Sequence, residues 1–239
     1  MPDLFHPTKP NQNPSMITII RNFQNAAALA VLCCALAWSV TVASAEDRVL
    51  AHWDMSSPDA DISPSDADAR IIPGTANSEA GDLKFTAAST ATIEKDAAAP
   101  GGQALVFPKA EPGGRSSNKV SITGDFKVEF LVKISPANDD SEKPLTIVFG
   151  SFLRLTYSNG MIGFNASYDN GYDGILHPIG PDQWSSVTAS VEGGRMKLSI
   201  DGDTVEKSLP PDAKLNGQED RITVGGFVGS IAKLVVTAK

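Results

Sequence analysis

Downstream of Val49 the chain never runs far without a turn signal. Asn159-Gly160, Asn170-Gly171, Asp173-Gly174, Gly193-Gly194 and Asp201-Gly202 punctuate it, and such pairs tolerate the positive φ that two-residue hairpin turns require. Between them stand short runs of β-branched and aromatic residues: Phe126–Ile134 (FKVEFLVKI), Leu145–Phe149, Phe152–Tyr157, Met161–Ser167, Trp184–Val191, Met196–Ile200 and Ser230–Thr237. No amphipathic helix of useful length and no repeat of fixed period appears. A chain divided in this way is expected to be all-β, an antiparallel β-sandwich or jelly roll.

Side chains alternate in direction along a strand, so each run can be sorted onto faces. Val128, Phe130, Val132 and Ile134 oppose Glu129, Leu131 and Lys133. Leu153 and Leu155 oppose Arg154 and Thr156, and Ile162, Phe164 and Ala166 oppose Gly163, Asn165 and Ser167. Val187, Ala189 and Val191 oppose Ser186, Thr188 and Ser190. If these strands share one sheet, its wetted face is a polar surface of Arg154, Thr156, Asn165, Ser167, Thr188 and Ser190. Such a surface binds a polar ligand or is simply solvated.

The N-terminus reads differently. Arg21 precedes the apolar run Ala26–Val42, and Ala43-Ser44-Ala45 closes it. These are the parts of a secretory signal peptide (1–45) cleaved after Ala45; an uncleaved anchor is the alternative. The polar, Pro-rich stretch before Met16 makes that methionine a candidate true start. Cleavage would leave 46–239 as one domain without a stable membrane anchor, in a secreted or periplasmic setting of bacterial type. Both cysteines, Cys33 and Cys34, fall in the leader, so neither a disulfide framework nor a cysteine zinc site is expected. The formal charge of −8 argues against nucleic acid, whose phosphates demand a basic face. Residues 56–78 (SSPDADISPSDADARIIPGTANS) read as an acidic surface loop.

Several motifs fall in a familiar order. They are Phe126-Lys-Val-Glu-Phe-Leu-Val-Lys133, Pro181-Asp-Gln-Trp184 with Ser-Ser-Val-Thr-Ala189, Gly193-Gly-Arg-Met-Lys-Leu-Ser-Ile-Asp-Gly202 and Gly225-Gly-Phe-Val-Gly-Ser-Ile-Ala-Lys-Leu-Val-Val236. Val49-Leu-Ala-His-Trp-Asp54 and Gly102-Gln-Ala-Leu-Val-Phe107 supply an opening strand and a later one. In this order they resemble a laminin-G-like domain of the concanavalin A-like lectin/glucanase superfamily. The chain departs from that pattern at Leu131, Ser185-Ser186 and Ser199. The resemblance implies a concanavalin A-like jelly roll and a role in binding. It also implies calcium near a sheet rim, with Asp54 as a weak candidate. Trp184 is expected to fill the space between the sheets.

Catalytic signatures are missing from the sequence. The glucanase members carry an E-x-D-x-x-E strand, and none occurs here; Glu129 would need a second carboxyl roughly 5 to 9 Å away. His52 and His177 have no zinc-like spacing, and no nucleophile elbow, P-loop or dinucleotide fingerprint is present. The segment most like a site is Asn165–Gly174 leading to His177, with Tyr168, Asp169, Asn170, Tyr172 and Asp173 closely spaced. Aromatic rings support the C–H faces of sugars while carboxylates and amides share their hydroxyls. With Arg154, these residues are the candidate ligand site, and Asp169 and Asp173 are candidate calcium ligands. The plain alternative is a strand connection that only turns the chain. A non-catalytic carbohydrate-binding module, calcium-assisted or not, is therefore the leading expectation. A protein-binding adhesion or assembly module is the first alternative, and a divergent glycoside hydrolase or lyase the second.

Overall fold

The computed structural model describes residues 47–57, 60, 62, 70–111, 113–138, 146–149, 153–217 and 219–239. The candidate leader, with Met16, Cys33 and Cys34, lies outside the described residues. In chain order the strands are β1 (Arg48–Asp54), β2 (Arg70–Ile72), β3 (Leu83–Phe85), β4 (Thr92–Lys95), β5 (Gln103–Phe107) and β6 (Gly114–Ser116). Next come β7 (Phe126–Ile134), β8 (Thr146–Phe149), β9 (Leu153–Ser158), β10 (Met161–Tyr168) and β11 (Gly171–Pro178). The chain ends with β12 (Trp184–Glu192), β13 (Arg195–Ile200), β14 (Asp203–Ser208), β15 (Ile222–Gly225) and β16 (Gly229–Ala238). A short 3₁₀ turn spans Pro136–Asn138.

The strands form two antiparallel eight-stranded sheets. The first runs β14-β13-β12-β7-β16-β5-β4, with β1 added to β16. The second runs β11-β10-β9-β8-β15-β6-β3-β2. Strand β16 is the keel of the first sheet. One edge pairs with β7 along its length, while the other takes β5 near Gly229–Ile231 and β1 from Lys233 onward.

The alternation in Phe126–Ile134 is realised residue by residue, since every second side chain of β7 is buried. The inner faces meet through aromatic pairs. Phe126 of β7 stands edge-on to Phe164 of β10 at 6.1 Å, and Phe107 of β5 lies 6.4 Å from Phe85 of β3. Edge-to-face rings add to the area they bury. The Asn159-Gly160 and Asp201-Gly202 hairpins have positive φ at both residues, 51° and 71° in the first, 51° and 90° in the second. Those values match the twist of the strands they join.

Three expectations need correction. Part of 56–78 is not surface loop: Arg70–Ile72 is a strand, and Ala60, Ile62, Arg70 and Ile72 are buried. The Arg70 guanidinium donates to the carbonyls of Ile62, Ser89 and Ala91, which satisfies a cation that burial would otherwise penalise. Trp184 does not fill the inter-sheet space. Ser185, Val187, Ala189 and Val191 take the inward positions of β12, so Trp184 lies on the outer face, over Ala99, Ala104, Ala232 and Leu131. The core tryptophan is Trp53 of β1, fully buried, with Nε1 donating to the Gly81 carbonyl at 2.8 Å. Finally, the strands sorted by face do not share a sheet. Thr188 belongs to the first sheet with β12, Arg154, Thr156, Asn165 and Ser167 belong to the second, and Ser190 is buried.

Candidate functional site

The Asn165–Gly174 segment is a hairpin, with Tyr168 paired to Gly171 and Asp169-Asn170 as its turn. Asp173-Gly174 lies within β11, opposite Ala166 and Asn165. The pleat then divides the candidate residues. Leu153, Leu155, Ile162, Phe164 and Ala166 hold the inner face. That leaves Arg154 and Thr156 of β9, Asn165 and Ser167 of β10, and Tyr172, Gly174 and Leu176 of β11 on the outer face.

On this outer face Tyr172 and Leu176 are 63% and 61% exposed, the large hydrophobics left most open to solvent among the described residues. Four residues apart on one strand, they stand about 13 Å from each other. The Tyr172 hydroxyl donates to Asn165 Oδ1 at 2.7 Å, and Asn165 Nδ2 donates to Thr156 Oγ1 at 3.4 Å. Anchored at its far end, the Tyr172 ring is held along the sheet surface. Gly174 makes room for this arrangement, because a Cβ there would come within 2.4 Å of Asn165 Oδ1. A braced aromatic beside an aliphatic side chain, with amide, hydroxyl and guanidinium groups around them, suits a ligand having both C–H faces and hydroxyls.

Tyr168, Asp173 and His177 point the other way. The Tyr168 hydroxyl donates to Asp173 Oδ2 at 3.1 Å, and Lys207 of β14 pairs with Asp173 Oδ1. His177 is buried, its Nδ1 2.9 Å from the Pro178 carbonyl and its Nε2 3.5 Å from an Asp203 carboxylate oxygen. These groups close the seam where β11, at the edge of one sheet, meets β14, at the edge of the other. The Lys207 hydrogen bond, helped by that from Tyr168, holds the Asp173 carboxyl below the ordinary carboxylate range despite desolvation. Asp169 and Asn170 sit exposed at the turn, and Asp169 borders a cavity of about 350 Å³ lined by Asp125, Val191, Leu209, Lys214 and Leu215.

The candidate calcium ligands therefore do not converge. Asp54 belongs to β1 in the other sheet, its Oδ1 accepting from Ser56 N at 3.0 Å and Ser56 Oγ at 2.5 Å. Asp173 is engaged by Lys207 and Tyr168, and Asp169 lies at the hairpin tip. Among the described residues no group of three or more His, Cys, Asp or Glu is placed to hold a metal. Glu129 is ion-paired with Lys127 at 3.1 Å and has Thr188 and Val235 as cross-strand neighbours.

Sequence reasoning missed Leu176 and the spacing role of Gly174. The signal was the alternation Tyr172-x-Gly174-x-Leu176, hidden because Asn170-Gly171 and Asp173-Gly174 both look like turns.

No protein-family profile and no curated protein matches the chain. Solved structures resemble it in fold. Domain 4 of an extracellular arabinanase from Geobacillus stearothermophilus, in complex with arabinotriose, aligns with a TM-score of 0.56 at 16% identity. That alignment covers 81% of this chain and 94% of the other. The binding domain of botulinum neurotoxin serotype C1 aligns at 0.53 with 12% identity, over 80% of this chain and 49% of that one. A structure of botulinum neurotoxin type C, which interacts with two ganglioside molecules, aligns at 0.50 with 12% identity, over 80% and 48%. The chain thus spans about half the length of the toxin domains. The likeness is one of fold alone, an antiparallel β-sandwich. Among the described residues no helix is long and apolar enough to cross a membrane.

Proposed function

We propose that the protein is an extracytoplasmic, non-catalytic carbohydrate-binding module of laminin-G-like kinship, with the outer face of β9-β10-β11 as its ligand surface. One observation carries this reading. Tyr172 and Leu176 stand exposed on the same sheet face as Arg154, Thr156, Asn165 and Ser167, and Tyr172 is braced by a hydrogen bond to Asn165. Solvation alone gives no reason for that bracing, whereas a ring fixed before binding gives up little entropy when a sugar settles on it. The sandwich shared with an arabinanase domain in complex with arabinotriose supports the same reading. Arg154, Asn165 and Thr156 supply hydrogen bonds to hydroxyls, and Tyr172 with Leu176 supplies the apolar platform.

The test is to titrate the full-length protein against a panel of plant, algal and microbial polysaccharides. Tyr172→Ala should weaken the best ligand by about three- to tenfold. Silence across the panel, or binding indifferent to both Tyr172→Ala and Leu176→Ala, overturns the reading. Exposed Leu176 on an edge hairpin also favours a second reading, docking of a protein partner. A stoichiometric protein complex that survives excess free sugar would select it.

A further inference from the structure

The outer face of the second sheet carries one continuous row of directly paired residues across all eight strands. It runs through Ile71, Lys84, Arg115 and Thr223, crosses the backbone of β8 at position 148, and continues through Arg154, Asn165 and Gly174. Three of these are cations and none is an acid, in a chain whose formal charge is −8. Lys84 and Arg154 are exposed, and among the described residues neither has an ion pair. Arg115 is 62% exposed and, among the described residues, reaches one carboxylate, that of Asp220, at 3.8 Å. Beside the row, Arg221 donates to the carbonyls of Ser116, at 2.7 Å, and Ser117. Among the described residues, the flanking acids Asp82 and Asp220 are occupied: Asp82 Oδ1 accepts from Gly74 N at 3.2 Å and Asp220 Oδ1 from Arg221 N at 2.7 Å. The row ends at Gly174, between Tyr172 and Leu176.

We infer that the ligand of this face is a linear polyuronate, a polysaccharide with one carboxylate per sugar, lying across the strands along this row. The inference rests on the carbohydrate-binding reading and narrows its substrate class. Adjacent strands are about 4.8 Å apart, so Lys84 to Gly174 spans about 29 Å. One strand step is comparable with the advance of one sugar ring along an extended chain. Three cations over six steps is a modest charge density. It matches a polymer with one carboxylate per ring better than a densely sulfated one. Arg115 and Arg154 can each grip a carboxylate with paired N–H donors, and Lys84 adds a point charge. The Tyr172–Leu176 platform takes the apolar face of a ring at the far end.

The experiment measures binding of the full-length protein to alginate and polygalacturonate, to neutral arabinan and β-glucan, and to dextran sulfate, at low and high salt. It compares Lys84→Gln/Arg115→Gln/Arg154→Gln with a charge-matched control on the opposite sheet, Lys127→Gln/Lys197→Gln/Lys233→Gln. Circular dichroism checks that each variant is folded, and the single Arg154→Gln variant provides a milder perturbation. The expected result is uronate binding that weakens with salt, falls about tenfold in the row variant and changes little in the control. Neutral polymers bound equally by parent and row variant would overturn the inference and leave carbohydrate binding standing. Dextran sulfate bound while uronates are not would also overturn it. Binding to none of the polymers would bring down both.

Discussion

Trp53, not the expected Trp184, fills the core of the sandwich, and paired Trp→Phe substitutions measure the difference. In Trp53→Phe the Gly81 carbonyl loses its 2.8 Å donor, and the only other donor among the described residues is Ser78 Oγ at 3.5 Å. Leaving this part-buried carbonyl nearly unpartnered costs about 1–3 kcal/mol. The smaller ring leaves a void where Trp53 had no exposure, adding about 1 kcal/mol. The expected loss is about 2–4 kcal/mol, which at a urea slope of about 2 kcal/mol/M lowers the midpoint by about 1–2 M. In Trp184→Phe the lost bond is the 3.3 Å contact to Asp96 Oδ2. Asp96 keeps Lys133 and the Ala98 N–H at 2.9 Å, so the cost stays below about 1 kcal/mol. Urea unfolding followed by circular dichroism reads both. A midpoint shift for Trp184→Phe equal to or larger than that for Trp53→Phe refutes the assignment of Trp53 to the core.

Acid should destabilise the fold in a defined way. The Asp96 carboxyl is held low by Lys133 and then by the Ala98 N–H, and Asp173 by Lys207 first. Depressed carboxylates contribute stability above their unfolded range and lose it as pH falls through the folded value. Melting temperature should therefore fall below the ordinary carboxylate range, and Asp173→Asn should flatten that limb; an unchanged acid limb counts against the Lys207–Asp173 seam. Gly174→Ala should displace Asn165 and release Tyr172, weakening ligand binding several-fold with under about 1 kcal/mol of lost stability; ligand titration with parallel melts tests it, and unaltered affinity would separate the bracing from binding. Calcium and EDTA should leave the melting temperature within about a degree of each other, as the candidate aspartates do not converge; a calcium-dependent rise of several degrees would locate a site beyond the described geometry.

Much of the sandwich was legible because burial on one face writes a period of two into a strand. Phe126–Ile134 shows this without exception, and Asn159-Gly160 and Asp201-Gly202 announce hairpins because few other pairs accept positive φ twice. Which sheet a strand joins is not written locally. β9 and β12 have the same alternation yet lie in different layers, since that choice depends on β16 and β15 far downstream. Trp184 misled because a large ring suggests a core, while its position is set by the parity of Ser185, Val187 and Ala189. The site was half legible: the composition of Asn165–Gly174 is unusual, but parity sends Tyr172 and Asn165 outward and Asp173 and His177 into the seam. Short strands such as Arg70–Ile72 and Gly114–Ser116 leave too few residues for any period to show.

The place of β16 in chain order has a consequence for how this protein comes into being. The strand on which β1, β5 and β7 all close is synthesised after all three of them. No portion that stops short of β16 can complete the first sheet, so that sheet closes only once Gly229–Ala238 has been made. Until Gly229–Ala238 emerges, β1 and β5 present unpaired edges and the apolar side of β7 has no finished layer around it. Such long-range closure is slow. Unpaired edges of this kind are a hazard for edge-to-edge association until the sheet closes.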